Sequence, residues 1–264
     1  MKHEILSRLP ASYLWRGNIH YFESIDSTNT EAKRMAAEGA PHGTVLIADS
    51  QTGGRGRMGR SFHSPAGCGI YMSMIIRPEC PAQKLLHLTC AAAVAASDGI
   101  EDATGLRPDI KWTNDLVVGR KKVGGILTEL SLDASGNVAY AIIGIGINCN
   151  QSAGDFPSDI ADIAASLHLC TGQRIDRAAV ISGILVALQN MWEDLENVQS
   201  ILLRYRQNCI TIGQEISLVR GDEIRHGQAL DVDESGALVV RFDDGQVQPV
   251  QSGEVSIRGM YGYV

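Results

Sequence analysis

Between two apolar runs, Thr44–Asp49 (TVLIAD) and Gly69–Ile76 (GIYMSMII), lies the tract Gln51–Arg60, which reads QTGGRGRMGR. It sets Arg55, Arg57 and Arg60 among Gly53, Gly54, Gly56 and Gly59. Both flanking runs have the look of buried strands, and Ile70, Met72, Met74 and Ile76 alternate along one strand face. The tract is therefore a strand-to-strand connection. Glycine lets a main chain come close to a ligand, and arginine offers a planar fork of donors suited to carboxylate and phosphate oxygens. That composition fits a mobile cationic loop closing over an anion, and it also fits a solvated turn. A disordered nucleic-acid-binding segment fits less well, because the tract is short and does not repeat.

The rest of the composition narrows the choice. At 264 residues the chain has room for one large domain, or a large one with a small companion. An apolar share of 44% is that of an ordinary globular protein. A formal charge of −7 argues against a broad nucleic-acid surface, yet leaves room for a local basic site. Cys68, Cys80, Cys90, Cys149, Cys170 and Cys209 show neither C-x-x-C nor zinc-finger spacing. No signal-peptide pattern and no bilayer-length apolar run is present. Reduced thiols in a cytoplasmic protein are the simplest reading, with a disulfide framework the weaker alternative.

Taken in order, Met1–Asn18 reads as an irregular or weakly helical lead-in and His20–Ile25 as a short strand. Thr28 and Glu31 have capping-box spacing, predicting a helix from about Thr28 to Glu38 that stops at Gly39. Ser27, Thr28 and Asn29 fit pure capping, and they also fit polar groups facing a ligand at a helix start. Pro81 opens a predicted alanine-rich helix to Gly105, with His87 in its core or at its boundary. In Asp109–Leu130 a strand leads to Lys111, a turn follows at Thr113-Asn114, and a short strand runs Asp115–Val118. A longer strand then begins near Lys122. Lys111 and Lys122 read either as exposed hairpin lysines beside a bulge or as site residues next to Gly124-Gly125. Asn137–Asn150 reads as a central strand in which Gly144 and Gly146 leave space on one face. It lacks the G-x-G-x-x-G spacing of a phosphate loop. Arg174–Gln207 carries one helical stripe, and from about Gly213 the pattern changes to short alternating segments split by hairpin signals.

In combination these stretches resemble the biotin protein ligases. The resemblance rests on DSTN (Asp26–Asn29), QTGGRGRMGR (Gln51–Arg60), KWTNDL (Lys111–Leu116), GRKKVGGIL (Gly119–Leu127) and GIGIN (Gly144–Asn148). It implies an α+β fold: a mixed central β-sheet flanked by helices over residues 1–212, of the class II synthetase kind. A small SH3-like β-barrel is expected over residues 213–264. It implies an ATP-dependent ligase that makes biotinyl-5′-AMP and passes biotin to a lysine of a biotin carboxyl carrier domain. Ser27, Thr28, Asn29 and Gln51 are expected at the biotin. Gly54, Arg55, Gly56, Arg57 and Arg60 are expected in the loop over the adenylate. Lys122 is expected at the biotin carboxylate and α-phosphate, with Lys111, Asn114 and Asp115 serving the nucleotide and its Mg²⁺. Gly125 and Asn148 complete the binding set, and Lys122, Arg57 and Lys111 are the catalytic candidates.

Two positions depart from the family pattern: Thr113 stands where proline is usual, and Phe62 where tryptophan often is. Some members carry an N-terminal DNA-binding domain, and Ile25-Asp26-Ser27 arrives too early here for one to precede it. The expected partners are therefore the carrier domain and neither DNA nor membrane, with a homodimer left open. The rival readings are a lipoate or octanoate ligase or transferase, and a non-catalytic biotin-sensing or nucleic-acid-binding module.

Overall fold

The computed structural model describes residues 1–251 and the backbone of the strand at 256–259. Ile19–Ile25 (β1), Thr44–Gln51 (β2), Gly69–Ile76 (β3), Asp109–Lys111 (β4), Asp115–Val118 (β5), Lys121–Leu132 (β6) and Val138–Asn148 (β7) form one seven-stranded sheet. Its order is β1-β2-β3-β7-β6-β5-β4. β1 and β2 run parallel and all other neighbours antiparallel, so the sheet is mixed as expected. Every residue of β3 is buried, which explains why its run is apolar at both parities.

Lys2–Arg8 (α1), Thr28–Ala37 (α2), Leu88–Thr104 (α3), Leu167–Thr171 (α4), Arg177–Glu193 (α5) and Val198–Asn208 (α6) are the helices. α2 covers one sheet face, setting Ala32 and Ala36 on Leu46, Ile75 and Ile142. α3 and α5 pack with the opposite parity, including Val45, Ile47, Met72, Met74, Ile143 and Ile145. α3 is alanine-rich because it is enclosed, with Cys90 through Ser97 all buried. It meets α5 at a glycine contact, where a Cβ on Gly99 would come 2.3 Å from the Ile184 nitrogen.

Local details differ from the expected elements. The cap of α2 is Ser27, whose Oγ accepts from the Thr30 N–H at 3.4 Å, so the Thr28 hydroxyl is freed for other contacts. The helix predicted from Pro81 is a 3₁₀ turn, Ala82–Leu85, followed by α3. His87 is buried, with Nε2 3.0 Å from the Leu195 carbonyl, as a core histidine should be. The long predicted helix of 174–207 breaks into α5 and α6, and Asn197 caps the second by accepting from the Ser200 N–H.

After α6, Glu215–Arg220 (β8), Glu223–Val232 (β9), Leu238–Phe242 (β10), Val247–Val250 (β11) and Ser256–Gly259 (β12) form a second sheet, ordered β11-β10-β9-β8-β12. The expected barrel is not there. β11 pairs with β10 and β12 with β8, leaving these two as the edges of an open five-stranded sheet. Alternating patterns identify strands and hairpins, but they carry no information about whether the two edges meet. Residues 252–255 and 260–264 of the expected C-terminal unit lie outside the described residues. This sheet is fastened to the larger unit: the Trp112 Nε1–H donates to the Gly236 carbonyl at 3.0 Å, and the Arg206 Nε–H to the Val232 carbonyl at 2.8 Å.

All six cysteines are free. Among the described residues no helix is long and apolar enough to cross a membrane.

Candidate active site

The start of α2, the ends of β2 and β7, the Arg/Gly tract and the β4–β5–β6 hairpins surround a cavity of about 560 Å³. Every site residue expected from the sequence lines it except Gly54. Gly54 instead closes the tract, since a Cβ there would sit 2.4 Å from the Phe62 carbonyl oxygen and 2.6 Å from Ser64 Oγ.

One end of the cavity is neutral and hydrogen-bonded to itself. Gln51 Oε1 accepts from the Thr28 N–H at 2.8 Å and lies 3.2 Å from Thr28 Oγ1. The Gln51 Nε2–H donates to Ser64 Oγ at 2.9 Å. Ser73 Oγ lies 2.8 Å from Thr28 Oγ1 and 2.6 Å from Asn29 Oδ1. The Asn29 amide N–H groups face Glu129 Oε2 at 3.0 Å and the Leu127 carbonyl at 3.3 Å. Ser27, Thr28 and Asn29 are thus both the helix start and part of the cavity wall. Burial works to raise the Glu129 carboxyl, but hydrogen bonds from Lys33 and Asn29 and the charges of Lys33 and Arg55 hold it below the ordinary carboxylate value.

Gly144 and Gly146 line the cavity, and the side chains they lack also leave room for protein groups. A Cβ at Gly144 would meet Asn29 Oδ1 at 2.0 Å, and one at Gly146 would meet the Phe62 ring at 2.7 Å. The glycines make room for protein side chains. That trade is invisible in a strand pattern, because the partners lie about a hundred residues away in sequence.

The tract itself is a hairpin. The Gly56 N–H donates to the Arg60 carbonyl (2.7 Å), Phe62 N–H to Gly54 (2.9 Å) and Arg60 N–H to Arg57 (3.2 Å). Met58 and Gly59 at its tip both have positive φ, 55° and 73°, as a two-residue hairpin turn requires. The hairpin places Arg57 inward, its Nη1 donating to Asn114 Oδ1 at 2.8 Å. Burial pulls the Arg57 guanidinium below its usual range, Asp115 opposes that shift and Arg60 adds to it. Arginine stays charged through such a shift.

The other end is cationic. A register shift in the β5–β6 pairing sets Leu116 opposite Gly124 but Val117 opposite Lys122, making Val123 a bulged residue. The bulge brings Lys122 to the face of Gly125, where a Cβ would lie 3.3 Å from Lys122 Nζ. Lys122 Nζ donates to Asp115 Oδ1 at 2.6 Å, and Asp115 is the cross-strand neighbour of the buried Lys111. The main chain of Lys122 is pinned as well: its N–H donates to the Ile163 carbonyl (2.8 Å) and its carbonyl accepts from Ala165 (2.9 Å). Asn148 braces this contact through a bond from Nδ2 to the Ala165 carbonyl at 3.0 Å.

Arg55, Arg57, Arg60, Lys111 and Lys122 all line the cavity, against one carboxylate, Asp115. Among the described residues no group of three or more His, Cys, Asp or Glu side chains is placed to hold a metal.

Sequence reasoning missed several residues here. Phe156, Ile160, Ile163 and Ala164 line the cavity from the segment between β7 and α4. Ser73, Ser64 and Glu129 support the neutral end from behind. Ser73 carried a visible signal, as a polar residue inside an apolar strand.

Residues 21–148 match the biotin/lipoate A/B protein ligase family, and residues 211–258 match the biotin protein ligase C-terminal domain. The bifunctional ligase/repressor BirA of Bacillus subtilis is 40% identical over 239 residues, covering 90% of this chain and 73% of that protein. The chain belongs to the biotin protein ligases. The biotin–[acetyl-CoA-carboxylase] ligase of Mycobacterium tuberculosis is 30% identical over 236 residues, covering 87% of this chain and 85% of that protein. Among solved structures, the biotin protein ligase of Aquifex aeolicus in complex with biotin and ATP superposes with a TM-score of 0.78. It shares 30% identity, covering 92% of this chain and 99% of that one.

Proposed function

We propose that in this biotin protein ligase Lys122, Arg57 and Lys111 bring two anions together, while Ser27, Thr28, Asn29 and Gln51 hold the neutral ring system of biotin. The enzyme activates biotin with ATP as biotinyl-5′-AMP and transfers it to a lysine of a carrier protein. The observation that carries the residue assignment is the charge of the cavity, with five cationic side chains around one carboxylate.

A carboxylate is a poor acyl donor and must be activated. In the first step a biotin carboxylate oxygen attacks the ATP α-phosphorus and pyrophosphate leaves. Carboxylate and phosphate repel on approach, and preplaced cations offset that repulsion as charge redistributes in the transition state. Lys122 is suited to this role because strand, bulge and the 160–165 segment all fix its main chain. Arg57 and Lys111 face the same space. Mg²⁺ would enter with the nucleotide, beside Asp115, and would neutralise phosphate charge. In the second step the carrier lysine amine attacks the mixed anhydride and AMP leaves. The Arg/Gly hairpin, at the mouth of the cavity, limits hydrolysis of the adenylate by excluding water. At the neutral end Gln51 spends one amide N–H on Ser64 and keeps the second for the ureido carbonyl.

We assign the acceptor as a biotin carboxyl carrier domain of the acetyl-CoA carboxylase type, and the chain as two units, 1–212 and 213–264. ATP–pyrophosphate exchange with biotin, lipoate and octanoate supplied in turn tests the reading. Exchange with biotin alone is expected. Exchange with lipoate or octanoate instead would move the assignment to the other branch of the matched family.

A further inference from the structure

We propose that Tyr205 is a positioning residue for the nucleotide step, acting through the Thr113 carbonyl on the turn that carries Lys111, Asn114 and Asp115. The proposal rests on the assignment of that turn to the nucleotide. Tyr205 lies in α6, is fully buried, and is not among the residues that line the cavity. Its hydroxyl donates to the Thr113 carbonyl at 2.9 Å. The thiols of Cys90 and Cys209 also neighbour the phenol, but sulfur is a weak acceptor. The carbonyl is therefore the strong partner that a buried phenol needs.

Asn114 ties the front of the turn to β6, its Nδ2–H donating to the Ile126 carbonyl and its own carbonyl accepting from the Ile126 N–H, both at 2.8 Å. Residues 111–115 form a tight β4–β5 connection, and Thr113 is buried with its own hydroxyl unpartnered. Its main-chain oxygen is what ties this residue down. Two further bonds from the chain just after Tyr205 grip the same strand end. The Ile210 N–H donates to the Ile110 carbonyl at 3.0 Å, and the Trp112 N–H donates to Thr211 Oγ1 at 2.9 Å. Residues 205–211 thus hold positions 110–113 from behind. In front, Asn114 receives Arg57 and Asp115 receives Lys122. A small rotation of the turn would shift Lys111, Asn114 and Asp115 together, and through them Arg57 and Lys122. The Thr28–Gln51–Ser73 network is built on α2, β2 and β3, away from the elements that carry this turn, so biotin binding should not follow.

The test compares wild type, Tyr205→Phe and Leu202→Ala. Leu202 is another buried residue of α6 without a bond to the turn. Each protein is measured for melting temperature, biotin Kd and the ATP dependence of biotin-dependent pyrophosphate exchange. Tyr205→Phe should raise the KM for ATP about fivefold, the weight of one hydrogen bond, and leave biotin Kd unchanged. Leu202→Ala should lower the melting temperature at least as much with the KM for ATP unchanged. An unchanged KM in Tyr205→Phe, or an equal rise in Leu202→Ala, overturns the proposal. Should Tyr205→Phe not fold, Thr211→Val removes the acceptor of the Trp112 N–H on the same turn, and a normal KM for ATP there overturns it equally. Wild type without any exchange would sink the ligase assignment first, and this proposal with it.

Discussion

At the α2 end of the cavity, Gln51, Thr28, Ser73, Asn29 and Glu129 are linked in one continuous chain of hydrogen bonds. At the β4–β6 end, Lys111 and Lys122 flank Asp115, and Arg57 reaches in from the hairpin. The first arrangement is held by its own hydrogen bonds and fixes shape. The second has more positive than negative charge, and an arriving anion relieves it. Under the assignment proposed above, the difference amounts to a division of labour: the neutral end would select a ring system, and the cationic end would lower the barrier to joining two anions.

The sharpest way to break this comparison is Lys122→Ala. Pyrophosphate exchange should fall about a hundredfold or more, with biotin affinity nearly kept. A mutant exchanging normally would remove Lys122 from the chemistry. Arg57→Ala should matter next. It removes a charged donor worth about a tenfold change or more, so biotinyl-adenylate should escape faster while biotin binding holds. Rapid-filtration release of labelled adenylate reads this directly, and wild-type retention would count against the hairpin as a water-excluding cover.

Gly144→Ala tests the other end. Its Cβ would displace Asn29, whose Oδ1 lies 2.0 Å from that position. Overpacking of this kind costs about 1–3 kcal/mol, and biotin Kd should rise while the KM for ATP does not. An intact biotin Kd would show that the Asn29–Ser73 contact is dispensable. The smallest effect is expected from Glu129→Gln. The Glu129 carboxyl is held below its ordinary value of 4.5, so its stabilising contribution is complete above that pH and fades as pH falls through the lower folded value. Melting curves of wild type and variant should differ near neutrality and converge below about pH 4.5. A difference that widened in acid would reverse the assignment of charge in the Lys33–Glu129–Arg55 cluster.

Most of the strands were legible because burial on one or both faces writes a period into the chain. β3, β5 and β7 are where the apolar runs place them. The arginines of the tract were legible for a related reason, since arginine among glycines stands out locally, whereas Lys111 and Lys122 were assigned to the site through the resemblance. What was not legible depended on distant partners. Ser27 takes the cap that Thr28 was expected to hold, since Thr28 is drawn to Gln51 and Ser73. The C-terminal strands stop short of a barrel because closure is a property of two edges, and no single strand encodes it.

By itself, then, the amino-acid order carried the motifs whose resemblance implied the family and its mixed sheet, and local composition picked out the charged groups of the Arg/Gly tract. Tertiary structure alone decided which face Lys122 joins, since one bulged residue at Val123 inverts the alternation. It also decided what fills the notches at Gly144 and Gly146, because only the folded sheet brings Asn29 and Phe62 to them. Side chains can be read from the chain one at a time, but the distances between them exist only once the backbone has closed.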